Sequence, residues 1–142
     1  MSSPPLLDLP DEAAYRSHYE NSLCKQVIYT FDGILVRFAK WQFDHAFFES
    51  ANRRKGDKSV FSFDRAKHMD WIASALKDPT AELYEGWEKR SKAPTRDNRV
   101  CVAYGDYVVI IRLGKGRRLA SFITAFPAGA CTLQGIRSGP RW

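Results

Sequence analysis

The chain has 142 residues, of which 44% are hydrophobic and 13% aromatic, so it is able to bury a substantial core as one domain. This composition excludes wholesale disorder, and no apolar run approaches the roughly 20 residues of a membrane-spanning helix. The formal net charge is +6, and residues 107–142 account for all of it, with six arginines and lysines and no carboxylate. Such a segment favours a polyanionic partner, nucleic acid rather than membrane, although a basic surface also serves solubility alone.

The cysteines and histidines give no sign of a metal or cofactor site. Cys24, Cys101 and Cys131 have no CxxC spacing and stand among apolar or small residues, so we expect buried free thiols. The three histidines have neither HExxH nor paired spacing. Residues 1–5 also lack the basic and apolar regions of a secretory signal, so we expect a cytoplasmic protein.

The first third of the chain predicts a lead-in, a helix and a hairpin. Residues 1–10 are rich in proline and predict an extended lead-in, and Asp11 is placed to cap a helix that continues to about Leu23. The apolar period then changes to two on either side of Asp32 and Gly33, a dipeptide typical of hairpin turns. The predicted strands are Val27–Thr30 and Ile34–Phe38.

Two further helices are predicted in the middle of the chain. Asp44 is placed to cap a short helix that carries His45, and a polar loop over residues 52–58 follows it. Asp64 is placed to cap a longer helix, whose apolar residues recur every three or four positions until Asp78 and Pro79 end it.

The rest of the chain predicts an antiparallel meander followed by an irregular basic tail at residues 128–142. The expected strands are Ala81–Trp87, Arg99–Tyr104, Tyr107–Leu113 and Leu119–Phe126. The predicted fold class is therefore α+β, a single domain over residues 1–142 in which N-terminal helices and the hairpin pack on the meander sheet.

Alternation along the last two strands indicates which side chains share a face. Arg112 is expected beside Val108 and Ile110, either as a cation held on a rigid sheet for a phosphate or as a strand-end residue reaching water. Thr124 is expected beside Phe122, either bonding a phosphate oxygen or satisfying a neighbouring backbone group.

His45 is the best candidate for proton transfer, since its ordinary pKa is near neutral, although a lone histidine in such a place is often structural. Two basic clusters are candidates for RNA contacts, and both are also compatible with solvated loops. They comprise Arg53 and Arg54 in the polar loop, with Lys55 and Lys58 beside them, and Lys115, Arg117 and Arg118 in a glycine-rich turn.

Three segments, in order along the chain, resemble the barnase, EndoU, colicin and RelE type of ribonuclease, especially small phage-associated and toxin members. They are the hairpin leading to Phe43–Phe47 (FDHAF), the basic helix Phe63–Met69 (FDRAKHM), and the meander ending in Phe122–Pro127 (FITAFP). The resemblance covers residues 25–127 and implies RNA cleavage without a metal, in which the 2′-hydroxyl attacks the adjacent phosphate.

The resemblance also implies roles for individual residues. His45 would move the proton, Arg112 would be the cation on the sheet, and Thr124 would supply the hydroxyl of the last strand. Lys67 and Arg65 would be further phosphate ligands. The second histidine of some members has no counterpart, and Tyr84 would replace it or stack on a base.

Three functions thus remain open at this point. The first is a toxin-like endoribonuclease that acts on RNA, with an acidic antitoxin or immunity protein as a further partner. The second is a non-catalytic nucleic-acid-binding or phage accessory protein that uses the same basic face. The third is a protein-interaction module whose basic tail docks on an acidic partner.

Overall fold

The computed structural model describes residues 4–49, 60–85, 99–114 and 118–139, together with the backbone of two short strands between residues 86 and 98. The α-helices of these parts are α1 (Glu12–Tyr19), α2 (Phe43–Ala46), α3 (Phe63–Lys67), α4 (Met69–Lys77) and α5 (Ala130–Arg137). The strands are β1 (Ile28–Tyr29), β2 (Leu35–Arg37), β3 (Phe48–Glu49), β4 (Val60–Phe61), β5 (Glu82–Glu85), β6 (Trp87–Glu88), β7 (Ala93–Pro94), β8 (Arg99–Tyr104), β9 (Tyr107–Leu113) and β10 (Leu119–Pro127). No helix in these ranges is long and apolar enough to cross a membrane.

Six strands form the central sheet, in the order β1-β2-β10-β9-β8-β5. Neighbouring strands are antiparallel except for β2 and β10, which run parallel. The predicted hairpin and meander are both present, with glycines at positive φ in their turns, +89° at Gly33 and +62° at Gly105. The hairpin extends the edge of the sheet, rather than packing on the sheet as expected. The fold is therefore mixed α+β.

The two faces of the sheet carry different layers. Helices α1 to α4 cover one face, where a large aromatic core is buried that includes Tyr15, Tyr19, Phe43, Phe47 and Phe122. Helix α5 lies on the other face, where a smaller cluster includes Tyr84, Cys101, Val108, Leu133 and Ile136. The expected alternation along β9 is confirmed, since Val109 and Ile111 belong to the first cluster and Val108 to the second.

The prediction of an irregular tail is wrong for residues 130–137, which form α5. Gly135 lowers the helix propensity of this segment by about 1 kcal/mol. Leu133 and Ile136 lie three positions apart and bury their side chains against the sheet. Burying such a side chain contributes about 1.5–3 kcal/mol, so tertiary packing outweighs the unfavourable glycine.

Helix α5 is also anchored at its C-terminal end. The guanidinium of Arg137 donates to Glu82 Oε2 at 2.9 Å and to the carbonyl oxygen of Gly105 at 3.1 Å. These bonds join the helix to β5 and to the turn between β8 and β9. None of the three cysteines, all of which lie in the described residues, forms a disulfide. Cys101 is buried as predicted and Cys24 is half-buried, but Cys131 is exposed on α5, so the prediction that it is buried is wrong.

One of the three predicted helix caps is confirmed and two are wrong. Asp11 caps α1, its carboxylate accepting from the Ala14 amide at 2.9 Å. Asp44 lies inside α2 and pairs with Arg16 at 2.6 Å, because a 3₁₀ turn at Lys40–Gln42 already leads into that helix.

The cap of the longer helix is Ser62, two positions before the predicted Asp64. Its hydroxyl accepts from the Arg65 amide at 3.2 Å, so Asp64 falls in the first turn of α3. The helix is interrupted at His68, where α3 ends and α4 begins, and α4 ends before Asp78 as predicted.

A β-bulge at Ile123 reverses the side-chain alternation of β10. Phe122 is paired with Ile111 and Thr124 with Ile110, which leaves Ile123 as the extra residue. Thr124 therefore lies on the face of Ile110, away from Phe122, and the prediction that these two share a face is wrong. The bulge brings Thr124 to the same face as Arg112.

We predict that Leu133→Ala lowers the free energy of unfolding by about 2–3 kcal/mol, because it leaves a cavity under α5. Urea unfolding measures this change. Cys131→Ala is the matched control on the exposed side of the same helix and should alter stability by less than about 0.5 kcal/mol. Equal effects of the two substitutions would contradict the packing of α5 on the sheet.

Candidate nucleic-acid interface

Three arginines and a serine lie in register across four strands, on the face that α5 covers only in part. Arg37 of β2 is paired with Ser121 of β10, Ser121 with Arg112 of β9, and Arg112 with Arg99 of β8. We call these four residues the basic row. Since adjacent strands are about 4.8 Å apart, the row extends roughly 14 Å across the sheet.

The basic row faces solvent at its β2 end. Arg37, Ser121 and Arg112 are exposed, and Arg99 is half-buried. Directly opposed residues of an antiparallel pair have Cβ atoms about 5 Å apart. Two arginines at this spacing are able to bind one anion together, so the arrangement of Arg112 and Arg99 is suited to a phosphate backbone.

A cleft of about 480 Å³ lies beside the basic row, between the end of β2 and the bulged part of β10. Arg37, Arg112 and Ser121 line it together with Trp41 and Gln42. Within the described parts of the chain, none of the residues that line this cleft is acidic. The cleft therefore combines cations, a hydroxyl and an aromatic ring, which are the groups that contact phosphates and bases.

The side chain of Gln42 connects the 3₁₀ turn in the wall of the cleft to the bulge in β10. Its side chain is buried, and its Nε2 donates to the carbonyl oxygen of Ile123 at 2.6 Å. A bulged residue lies outside the regular ladder, so this bond gives its carbonyl a partner and holds the 3₁₀ turn against β10.

His45 is placed near this wall but not in it. It is exposed on α2, three residues after Gln42, and α2 packs against β10 through buried Phe43 and Ala46. His45 does not belong to the lining of the cleft. The imidazole is exposed, but α2 belongs to the helix layer on the other face of the sheet, so the structure leaves His45 outside the basic row.

Thr124 lies on the same face as Arg112, one step along β10 beyond the bulge. Its Oγ1 is buried and has no hydrogen-bond partner within the described residues. Its pairing with Ile110 places it next to the apolar cluster under α5, not in the cleft.

Arg65 forms a link between helices. Its Nη1 donates to the Ala46 carbonyl at 3.3 Å, its Nε is 3.6 Å from a carboxylate oxygen of Glu49, and its guanidinium lies 5.3 Å from the centre of the Phe126 ring. Burial lowers the pKa of this guanidinium, and Glu49 opposes the shift. Lys67 is exposed at the end of the same helix, so neither residue joins the basic row.

Tyr84 is not brought to the cleft. Its side chain is 5% exposed and packs in the cluster under α5. It stands on β5, the edge strand farthest from β1 and β2 in the sheet. This position leaves little of its ring for stacking on a base.

Of the remaining RNA-binding candidates, Arg118 alone belongs to the residues that the structure describes. Arg118 is exposed at the start of β10, and its carbonyl accepts from the Leu35 amide at 3.1 Å. Arg53, Arg54, Lys115 and Arg117 lie outside the described residues.

No protein-family model, curated protein or solved structure matches the chain. The site is therefore interpreted from its own geometry. Within the described residues, no three side chains of His, Cys, Asp or Glu are grouped so that they could hold a metal ion.

Sequence reasoning missed five residues of this site: Arg37, Arg99, Ser121, Trp41 and Gln42. The first three stand on predicted strands, but their alignment depends on strand pairing, and the parallel pairing of β2 with β10 has no local signal. Trp41 had a weak signal, a large aromatic residue between Lys40 and Gln42 at the end of a strand.

We predict that Gln42→Ala lowers the free energy of unfolding by about 1–3 kcal/mol, because it removes the partner of the Ile123 carbonyl. Urea unfolding measures the change, and Gln134→Ala, which truncates an exposed glutamine of α5, is the control. If both variants unfold like the unsubstituted protein, the Gln42 bond does not stabilise the bulge.

Proposed function

We propose that the protein is a small endoribonuclease that binds the RNA backbone on the basic row and cleaves it without a metal ion. The observation that supports the proposal best is the alignment of Arg37, Ser121 and Arg112 on one exposed face, along a cleft without a described acidic residue. Cations held on the strands of one sheet need little rearrangement to stabilise a phosphate as it gains charge.

The chemistry would follow the resemblance to the barnase, EndoU, colicin and RelE type of ribonuclease. The 2′-hydroxyl attacks the adjacent phosphorus, the bond to the 5′-oxygen breaks, and a cyclic phosphate and a free 5′-hydroxyl result. Arg112 and Arg37 would stabilise the additional negative charge, and His45 would accept or donate the proton. Thr124 is a further hydroxyl on this face, beyond the cleft.

A second candidate is a nucleic-acid-binding protein without turnover. It is favoured by one observation, that the described lining of the cleft contains no histidine or carboxylate and that His45 lies outside it. The basic row is sufficient for binding on its own, since phosphate contacts need no proton transfer.

The proposed partners follow from the same surface. RNA is the polyanion that the ribonuclease requires. If the protein is a toxin, an acidic antitoxin or immunity protein that covered the basic row would compete with RNA for Arg37 and Arg112.

We predict that the protein cleaves RNA in the presence of EDTA, and that His45→Ala slows cleavage by about 100- to 10,000-fold while RNA affinity is retained. His45→Gln should be as slow, because glutamine forms hydrogen bonds but does not transfer a proton at neutral pH. Cleavage is followed on a labelled RNA, and affinity by fluorescence anisotropy.

The outcomes separate the two candidates. Cleavage at the unsubstituted rate by both His45 variants would remove His45 from the mechanism. Salt-dependent binding without cleavage by any variant would leave the second candidate, and the absence of both binding and cleavage would contradict the use of this face for RNA.

We also predict that Arg37→Ala and Arg112→Ala each reduce the slope of log affinity against log salt concentration by about one, since each removes one phosphate contact. Lys77→Ala removes an exposed charge from α4 in the helix layer and should leave the slope unchanged. Equal slopes for all the variants would show that the cations of the basic row do not contact phosphate.

A further inference from the structure

We infer that the cleft binds one nucleotide of a single strand, with the base stacked on Trp41 and the phosphate against Arg37 and Arg112. The inference rests on the proposed function, because it concerns the same surface. It adds the residue that binds a base and the strandedness of the RNA that the surface accepts.

Trp41 is placed for such a contact. It is the most exposed large hydrophobic side chain in the described parts of the chain, at 70%, and it lines the same cleft as both arginines. An exposed indole beside cations offers a flat face on which a base is able to stack while its phosphate contacts the arginines.

The backbone that follows Trp41 is anchored to the body of the protein. The residue lies in the 3₁₀ turn Lys40–Gln42, and the next two side chains, Gln42 and Phe43, are buried, Gln42 through its bond to the bulge. The ring therefore projects from an anchored turn, which reduces the entropy lost when a base stacks on it.

A second exposed apolar strip flanks the basic row on its other side. Tyr29, Leu35 and Leu119 are in register across β1, β2 and β10, two residues before Arg37 and Ser121 on their strands, which is about 7 Å away. Tyr29 and Leu119 are exposed. A line of cations between exposed rings is typical of surfaces that bind the backbone and stack the bases of a single strand.

The same arrangement disfavours a duplex. In a double helix the faces of the bases are covered by their neighbours, so an aromatic side chain is able to stack only on a base that has left the helix. The cleft is also of the size of a small-molecule pocket, which suits one nucleotide rather than the surface of an A-form helix.

The test compares affinity for a short single-stranded RNA with affinity for a duplex of the same length, by fluorescence anisotropy with the full chain. Trp41→Ala should weaken binding of the single strand roughly tenfold and change duplex binding by less than about twofold. Trp41→Phe should retain most of the affinity, because it keeps an aromatic face. Phe63→Ala, which removes an exposed ring from α3 in the helix layer, is the matched control and should have no effect.

Three results would overturn the inference, and they distinguish its failure from the failure of the proposed function. If Arg112→Ala weakens RNA binding but Trp41→Ala does not, or if Trp41→Ala weakens single strand and duplex equally, the stacking inference fails and the proposed function stands. If the unsubstituted protein binds neither RNA, both fail.

Discussion

The hydrogen bond from Gln42 to the carbonyl of Ile123 supports the arrangement of the whole candidate site. It accompanies the bulge that shifts β10 by one residue, so that Phe122 and Ala125 face the aromatic core while Thr124 faces the side of Arg112. The same bond holds the 3₁₀ turn that carries Trp41 against the sheet. The wall of the cleft, the turn that carries the Trp41 ring and β10 are thus joined by the buried side-chain amide of Gln42.

Helix α5 covers only part of the face that carries the basic row. Helix α5 packs on the part of the sheet whose side chains are apolar, such as Cys101 and Val108. It does not extend over Arg112, which is exposed on β9. What is left uncovered is a sheet surface with aligned arginines, and part of the excess positive charge of residues 107–142 is placed there through Arg112.

Much of the fold was predictable from local patterns. The Asp32-Gly33 and Gly105 turns, the β8 and β9 strands and the end of α4 have strong signals over a few residues. The predictions failed where distant contacts decide the conformation. A bulge within an apolar strand has no sequence marker, and the helix of the tail depends on the sheet that receives Leu133 and Ile136. For the same reason Arg112 was predictable as a cation on the sheet, whereas its alignment with Arg37 was not.

The central claim is that the exposed part of the sheet, along the basic row, is the surface that contacts RNA. The most direct test is to titrate the isotope-labelled protein with a short single-stranded RNA and to follow its amide and side-chain NMR signals. The account predicts that the largest shifts occur at Arg37, Ser121, Arg112 and the Trp41 indole. Shifts confined to α5 or to the helix layer on the opposite face, with these four residues unchanged, would contradict it.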